Sequence, residues 1–123
     1  MYELTVIVEF EAAHRIVDYP GKCDRLHGHN WSVEVTVEGE QLNKLGMLID
    51  FKELKGEVNK FIDLLDHHYL NELPSFKEIN PTAENIAKFI FEKMTEADFI
   101  NDNITISMVK IWETPKSAVC YRG

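Results

Sequence analysis

Cysteine is scarce in this chain: only Cys23 and Cys120 among 123 residues. They allow at most one disulfide. The opening MYELTVIVEF has neither a basic stretch nor a continuous apolar core, so it predicts no secretory leader. Free thiols in a reducing cytoplasm are therefore the expectation. Basic residues are also in deficit, with 13 Lys and Arg against 21 Asp and Glu and a net charge of −8. Such a balance supplies no general attraction for nucleic acid or an anionic membrane, and an anionic substrate would need a local basic pocket. No apolar run approaches the ~20 residues that span a bilayer, and no repeat or low-complexity linker divides the chain. What remains is 45% hydrophobic and 28% charged, an ordinary globular balance. The length predicts a single domain over residues 1–123.

Alternation dominates the N-terminus. Tyr2, Leu4, Val6, Val8 and Phe10 share one parity, opposite Glu3, Thr5, Ile7, Glu9 and Glu11, which predicts a strand over about 2–13. After the turn residues "DYPGKC", Trp31, Val33, Val35 and Val37 alternate with Ser32, Glu34, Thr36 and Glu38 in a second strand that stops near Gly39. Asp50 followed by Glu53 has the character of a capping box. Phe51, Leu54, Val58, Phe61, Ile62 and Leu65 then recur at helical spacing over about 51–65. "NELPSFKEINP" reads as a loop. Thr82 caps a second helix carrying Ile86, Ala87, Phe89, Ile90 and Met94. Strands at about 104–113 and 116–122 flank Thr114–Pro115 as a tight hairpin.

The predicted class is α+β, in the order strand, strand, helix, helix, strand, strand. Four antiparallel strands with two helices on one face give the economical packing. The other face, with Thr5, Glu9, Ser32, Glu34, Thr36 and Glu38, is too polar for a dry core. Such a sheet also leaves two open edges, and closure into a barrel between subunits removes them.

"KCDRLHGHNW", residues 22–31, gathers Cys23, His27 and His29 just before a strand. His27 and His29, two apart on that strand, leave from the same face, and Gly28 between them permits a bend. His14 ends the neighbouring strand and supplies a third imidazole. Three histidines with an open fourth position describe a catalytic zinc site. A His-x-His pair alone is weak evidence, because most such pairs lie on surfaces. Cys23 as a fourth ligand would instead close the site as a structural one, though a chain with two helices and an apolar core hardly needs a metal staple. Otherwise Cys23, near a dication, Lys22 and Arg25, is free for chemistry as a thiolate.

"LLDHHYLN" places Asp66 and His67 just past the first helix. Once the chain has left the helix, Asp66 could orient His67 for proton exchange. The plainer reading is a solvated helix C-terminus where a histidine is favourable anyway. On these residues alone it carries more weight, and His68 is read the same way. Glu113 ends an apolar strand in "IWET". It is either an ordinary strand-end glutamate or a carboxylate able to grip a planar NH/NH2 edge through two parallel hydrogen bonds.

In register along nearly the whole chain, "FEAAH" at 10–14, "CDRLHGH" at 23–29, "GMLIDFKELK" at 46–55, "LDHHYLN" at 64–71, "NPTAENIA" at 80–87 and "IWET" at 111–114 resemble the 6-pyruvoyl tetrahydropterin synthase / 6-carboxytetrahydropterin synthase family. The resemblance implies the tunnelling fold, in which trimers close a twelve-stranded barrel and two trimers stack as a homohexamer. It implies zinc on His14, His27 and His29, proton transfer by Cys23, Asp66 and His67 across a subunit boundary, and Glu113 as the pterin anchor. The short Cys-x3-His-Gly-His gap looks like the 6-carboxytetrahydropterin branch of the queuosine pathway. The implied reaction is a carbon–carbon lyase conversion of 7,8-dihydroneopterin triphosphate, releasing acetaldehyde and triphosphate. Two alternatives remain: formation of 6-pyruvoyl tetrahydropterin without that cleavage, and a non-enzymatic zinc- or pterin-binding module.

Overall fold

A computed structural model describes residues 1–123. Strand β1 runs Tyr2–His14 and β2 runs His27–Gly39. They pair antiparallel without interruption from Tyr2↔Gly39 to His14↔His27. Helix α1 (Phe51–Ile62) is followed by the two-residue strand β3 (His68–Tyr69), helix α2 (Ala83–Met94), β4 (Thr105–Thr114) and β5 (Ser117–Tyr121).

The sheet has five strands in the order β3-β1-β2-β4-β5, which corrects the expectation of four antiparallel ones. The extra strand, β3, runs parallel to β1 through Ala12↔His68 and Ala13↔Tyr69. Two residues are too few to show alternation, so no local pattern announces it. Two further boundaries differ. Helix α1 stops at Ile62 rather than near Leu65, and two single-turn 3-10 segments, Leu70–Glu72 leading into "NELPSFKEINP" and Pro74–Phe76 within it, interrupt the expected loop. Leu65 is nevertheless fully buried, so the apolar spacing reports burial beyond the helix itself. Asp50 does cap α1, accepting from the Lys52 amide at 2.7 Å. Thr82 caps α2, accepting from the Asn85 amide at 3.1 Å. Side-chain caps of this kind contribute ~1 kcal/mol each.

One sheet face carries Val6, Val8, Phe10, Trp31, Val33, Val35, Val37, Val109 and Ile111, all buried. Leu54, Val58 and Ile62 of α1 and Ile86, Ala87, Ile90 and Met94 of α2 complete the same core. The other face is mainly polar, as its sequence predicts, although Ile7, Met108 and Trp112 also lie on it. Thr36 is buried and its hydroxyl meets that of its cross-strand partner Thr5 at 2.6 Å. No helix is long and apolar enough to cross a membrane.

Candidate metal centre and active site

The core-facing parity of β1 and β2 does not end in apolar residues. Following the register outward, Phe10↔Trp31 gives way to Ala12↔His29 and then to His14↔His27. Three imidazoles therefore stand side by side on the inner face where the two strands end. Their ring centroids lie 4.5, 5.2 and 4.9 Å apart for the 14–27, 14–29 and 27–29 pairs. One ligand atom from each falls within 4.8 Å of the others. Small rotamer adjustments bring such a set onto one ion at bonds of ~2.0–2.1 Å. Trp31, fully buried, floors the cluster edge-on against His14 and His29 at 5.0 and 5.3 Å.

Hydrogen bonds fix the tautomers. His14 Nδ1 lies 2.7 Å from the Pro81 carbonyl oxygen, and His27 Nδ1 lies 2.7 Å from that of Arg25. A carbonyl only accepts, so both Nδ1 atoms carry the proton and both Nε2 lone pairs point elsewhere. His14 is 1% exposed, and burial holds its pKa below the ordinary histidine value; burial does the same at His29. Neutral imidazole is the form that binds a metal. The Nε2 atoms of His14 and His29 are buried with no hydrogen-bond partner. Buried polar atoms are normally paired, and a metal ion held by the three histidines would supply the missing partner. The donor set fits a divalent ion that accepts imidazoles.

Glu113 faces the same cluster. It continues the core-facing parity of Val109 and Ile111 along β4, and a register shift between Trp112 and Thr114 leaves it unpaired with β5. Its Oε1 lies 3.5 Å from His29 Nε2 and its side chain is about one-third exposed. An ordinary solvated strand end would not place it beside the histidines.

Cys23 sits on the single 3-10 turn Lys22–Asp24, half-buried and free. Its thiol is not a member of the three-histidine cluster. Arg15 pins the turn to the end of β1, its Nε donating to the Asp24 carbonyl at 2.9 Å and its guanidinium pairing with the Asp24 carboxylate at 2.7 Å.

Asp66 and His67 form a pair, with His67 Nδ1 3.0 Å from Asp66 Oδ1. Asp66 Oδ1 also accepts from the Glu11 amide at 2.9 Å. That hydrogen bond, helped by His67, holds the Asp66 carboxyl below its ordinary range. His67 has φ of 58°, a left-handed backbone that is uncommon outside glycine though less so for histidine. Its amide donates to the Glu11 carbonyl at 2.6 Å, and its Nε2 lies 3.3 Å from the Glu11 carboxylate. Glu11 points to the outer face, opposite in parity to Ala12 and His14. An open cleft of about 620 Å3 at this end of the sheet is lined by residues of both faces, among them Glu11, Gly28, His29, Asn30, His67 and Tyr69.

Several participants carried no sequence signal of their own. The carbonyls of Pro81 and Arg25 are backbone groups. Glu11 reads as one more solvent-facing glutamate of an alternating strand. Gly28 lies in regular pairing with Ala13, and a Cβ there would meet only the Ala12 carbonyl oxygen at 3.9 Å; no bend depends on it.

Fold and site together define an α+β domain with a three-histidine candidate metal centre at one end of its sheet. The family model described as 6-pyruvoyl tetrahydropterin synthase matches residues 3–123. A 6-carboxy-5,6,7,8-tetrahydropterin synthase of Rickettsia conorii is 33% identical, over 97% of this chain and 99% of the relative. A 6-pyruvoyl tetrahydrobiopterin synthase of Dictyostelium discoideum is 38% identical, over 84% of this chain and 75% of the relative. The solved structure of Caenorhabditis elegans 6-pyruvoyl tetrahydropterin synthase superposes with a TM-score of 0.86 at 30% identity, covering 99% of this chain and 95% of that one. The chain belongs to the 6-pyruvoyl tetrahydropterin synthase family, a family of enzymes.

Proposed function

We propose that this chain converts 7,8-dihydroneopterin triphosphate and water to 6-carboxy-5,6,7,8-tetrahydropterin, acetaldehyde and triphosphate, with Zn2+ held by His14, His27 and His29. The observation that carries the reading is the cluster of three imidazoles, with the buried Nε2 of His14 unpartnered and that of His29 met only by Glu113 at 3.5 Å. An all-imidazole set suits zinc among the available divalent ions. When bound, such an ion polarises substrate oxygens and lowers the pKa of hydroxyls it holds.

The remaining roles fall to the chain's own groups. Glu113, beside the cluster, accepts two parallel hydrogen bonds from the planar NH/NH2 edge of the pterin and so fixes the ring. Cys23 takes a proton from the substrate side chain as a thiolate. His67, oriented by Asp66, returns protons on the far side of the substrate. Because His67 pairs with Glu11 on the outer face while the imidazole cluster lies on the inner one, the complete site forms between chains. Trimers closing a barrel, stacked as a homohexamer, supply that boundary and cover the open edges of β1 and β5. The setting is the cytoplasm and the pathway that of queuosine.

The carboxy product is favoured by the Cys23-x3-His27 spacing and by the name of the Rickettsia conorii relative. Formation of 6-pyruvoyl tetrahydropterin is the second reading, favoured by the names of the Dictyostelium relative and the Caenorhabditis structure. Incubating the zinc-loaded protein with 7,8-dihydroneopterin triphosphate separates them. Acetaldehyde appearing with triphosphate supports cleavage. Triphosphate without acetaldehyde supports the pyruvoyl product, and no consumption of substrate contradicts both.

A further inference from the structure

Past His14, β1 loses its strand partners, yet its backbone does not turn to solvent. Asn71 Oδ1 accepts from the Arg15 amide at 2.9 Å, and its Nδ2 donates to the Arg15 carbonyl at 3.0 Å. Two residues on, Asn80 repeats the pattern with Val17, at 2.9 and 3.2 Å. Each carboxamide thus does what a neighbouring strand does, matching one donor and one acceptor of a single residue. The spacing explains why both lie on one edge. Odd residues of β1 present their backbone groups to the same side. There Glu11 is met by Asp66 and His67, and Ala13 has Tyr69 as its register partner. Beyond the strand, Arg15 and, in the turn that follows, Val17 have their backbone groups met by two side chains in place of a strand.

On the opposite edge of this segment, the Ile16 amide donates to the Cys23 carbonyl at 2.7 Å. The 15–17 segment therefore has Cys23 on one edge and the two asparagines on the other, and it begins at His14. Asn80 is tied in twice more. Its own carbonyl accepts from Asn85 Nδ2 at 2.8 Å, and the next carbonyl, that of Pro81, receives His14 Nδ1. A single asparagine thus links the Cys23 support to the group that sets the His14 tautomer.

We infer that Asn71 and Asn80 are positioning residues that lock the segment between His14 and Cys23, fixing the thiol against the metal histidines and the His14 ring in its metal-binding orientation. The inference rests on the proposed roles of those histidines and of Cys23. Asn80 acts on both, through Val17 and through Pro81, whereas Asn71 acts through Arg15 alone. Loss of Asn80 should therefore be felt at the metal and at the thiol, and loss of Asn71 chiefly at the thiol.

A built-in control exists at the other end of the sheet. Asn103 clamps a loop in the same manner, accepting from the Glu40 and Gln41 amides at 3.1 and 3.0 Å and donating to the Gln41 carbonyl at 2.9 Å. Its removal costs comparable bonds far from the histidines.

The test compares Asn80→Ala, Asn80→Asp, Asn71→Ala and Asn103→Ala with the parent chain, each in a Cys120→Ser background so that only Cys23 reacts. Zinc affinity is measured on metal-free protein by competition with a chromophoric chelator. Cys23 alkylation by iodoacetamide is timed, and Tm is recorded. Asn80→Ala should weaken zinc binding about tenfold and change the alkylation rate several-fold. Asn80→Asp keeps the acceptor but not the donor, and should fall between Ala and parent. Asn71→Ala should alter alkylation with zinc affinity within about twofold, and Asn103→Ala should lower Tm only. Asn80 variants that lose Tm while matching Asn103→Ala in zinc affinity and alkylation overturn the inference. A parent chain that binds no zinc overturns the proposed metal site instead, and the inference with it. Should Asn80→Ala fail to fold, Asn80→Asp and Asn71→Ala decide by the same two readouts.

Discussion

The two ends of the proposed chemistry are built in opposite ways. The imidazole cluster is an extension of the hydrophobic core. His14 and His29 occupy core-facing positions in register with Phe10 and Trp31, and burial keeps them neutral. Their geometry is finished within one chain. The Asp66–His67 pair instead hangs on the sheet edge, with the His67 side chain 73% exposed. Its backbone is held in a left-handed conformation by bonds to Glu11. Exposed ion pairs of this sort contribute little stability, typically ~0–1 kcal/mol. One half-site is preorganised by burial, while the other is aimed outward, where the proposed assembly would close over it.

The largest effect should come from the buried half. His29→Ala or His27→Ala should reduce zinc affinity by at least about a hundredfold, since two imidazoles cannot hold the ion as three do. Circular dichroism should show the fold intact. Retention of stoichiometric zinc in either variant would move the metal away from this cluster. Glu113→Gln sharpens the same half, because one acceptor of the paired contact becomes a donor facing a donor. A pterin ligand should bind more weakly by ~1–3 kcal/mol, the usual cost of a mismatched buried polar group. Equal dissociation constants by calorimetry would place the anchor elsewhere.

The exposed half should give the smallest effect. Asp66 has a folded pKa below its ordinary 3.8, chiefly through the Glu11 amide. A depressed carboxyl stabilises the fold fully above the unfolded value and loses that contribution as the pH falls through the folded one. In Asp66→Asn, Tm should fall less steeply than in the parent as the pH drops below about 4. Parallel acid limbs in the two proteins would show that the carboxylate carries no such linkage.

How far the sequence reached follows the same divide. The strand alternation, both helix caps and the three histidines were legible because each depends on local periodicity and one nearest-strand pairing. The Asp66–His67 region was not. Apolar spacing carried helix α1 on to Leu65, yet the chain leaves the helix after Ile62. The reason is long-range, as Asp66 and His67 bond to Glu11, 55 and 56 positions earlier. The same bonds lead into β3, which two residues could never announce. Glu113 was legible as a strand-end carboxylate on the parity of Val109 and Ile111, but its approach to His29 depends on β4 pairing with β2, which local alternation does not reveal. Asn71 and Asn80 likewise read as loop residues, since their role is to replace a strand for a segment more than fifty residues away.

Whether the two halves belong to one chain or two is open to a direct measurement. Cys23→Ala and His67→Ala subunits, each inactive alone, are mixed under conditions that exchange subunits, and exchange is verified by mass spectrometry of differently labelled chains. A site shared across a subunit boundary regains both wild-type groups in some pairings, so turnover of 7,8-dihydroneopterin triphosphate should reappear in the mixture. No recovered activity after verified exchange, or full activity in a sedimenting monomer of the parent chain, would contradict a site built between chains.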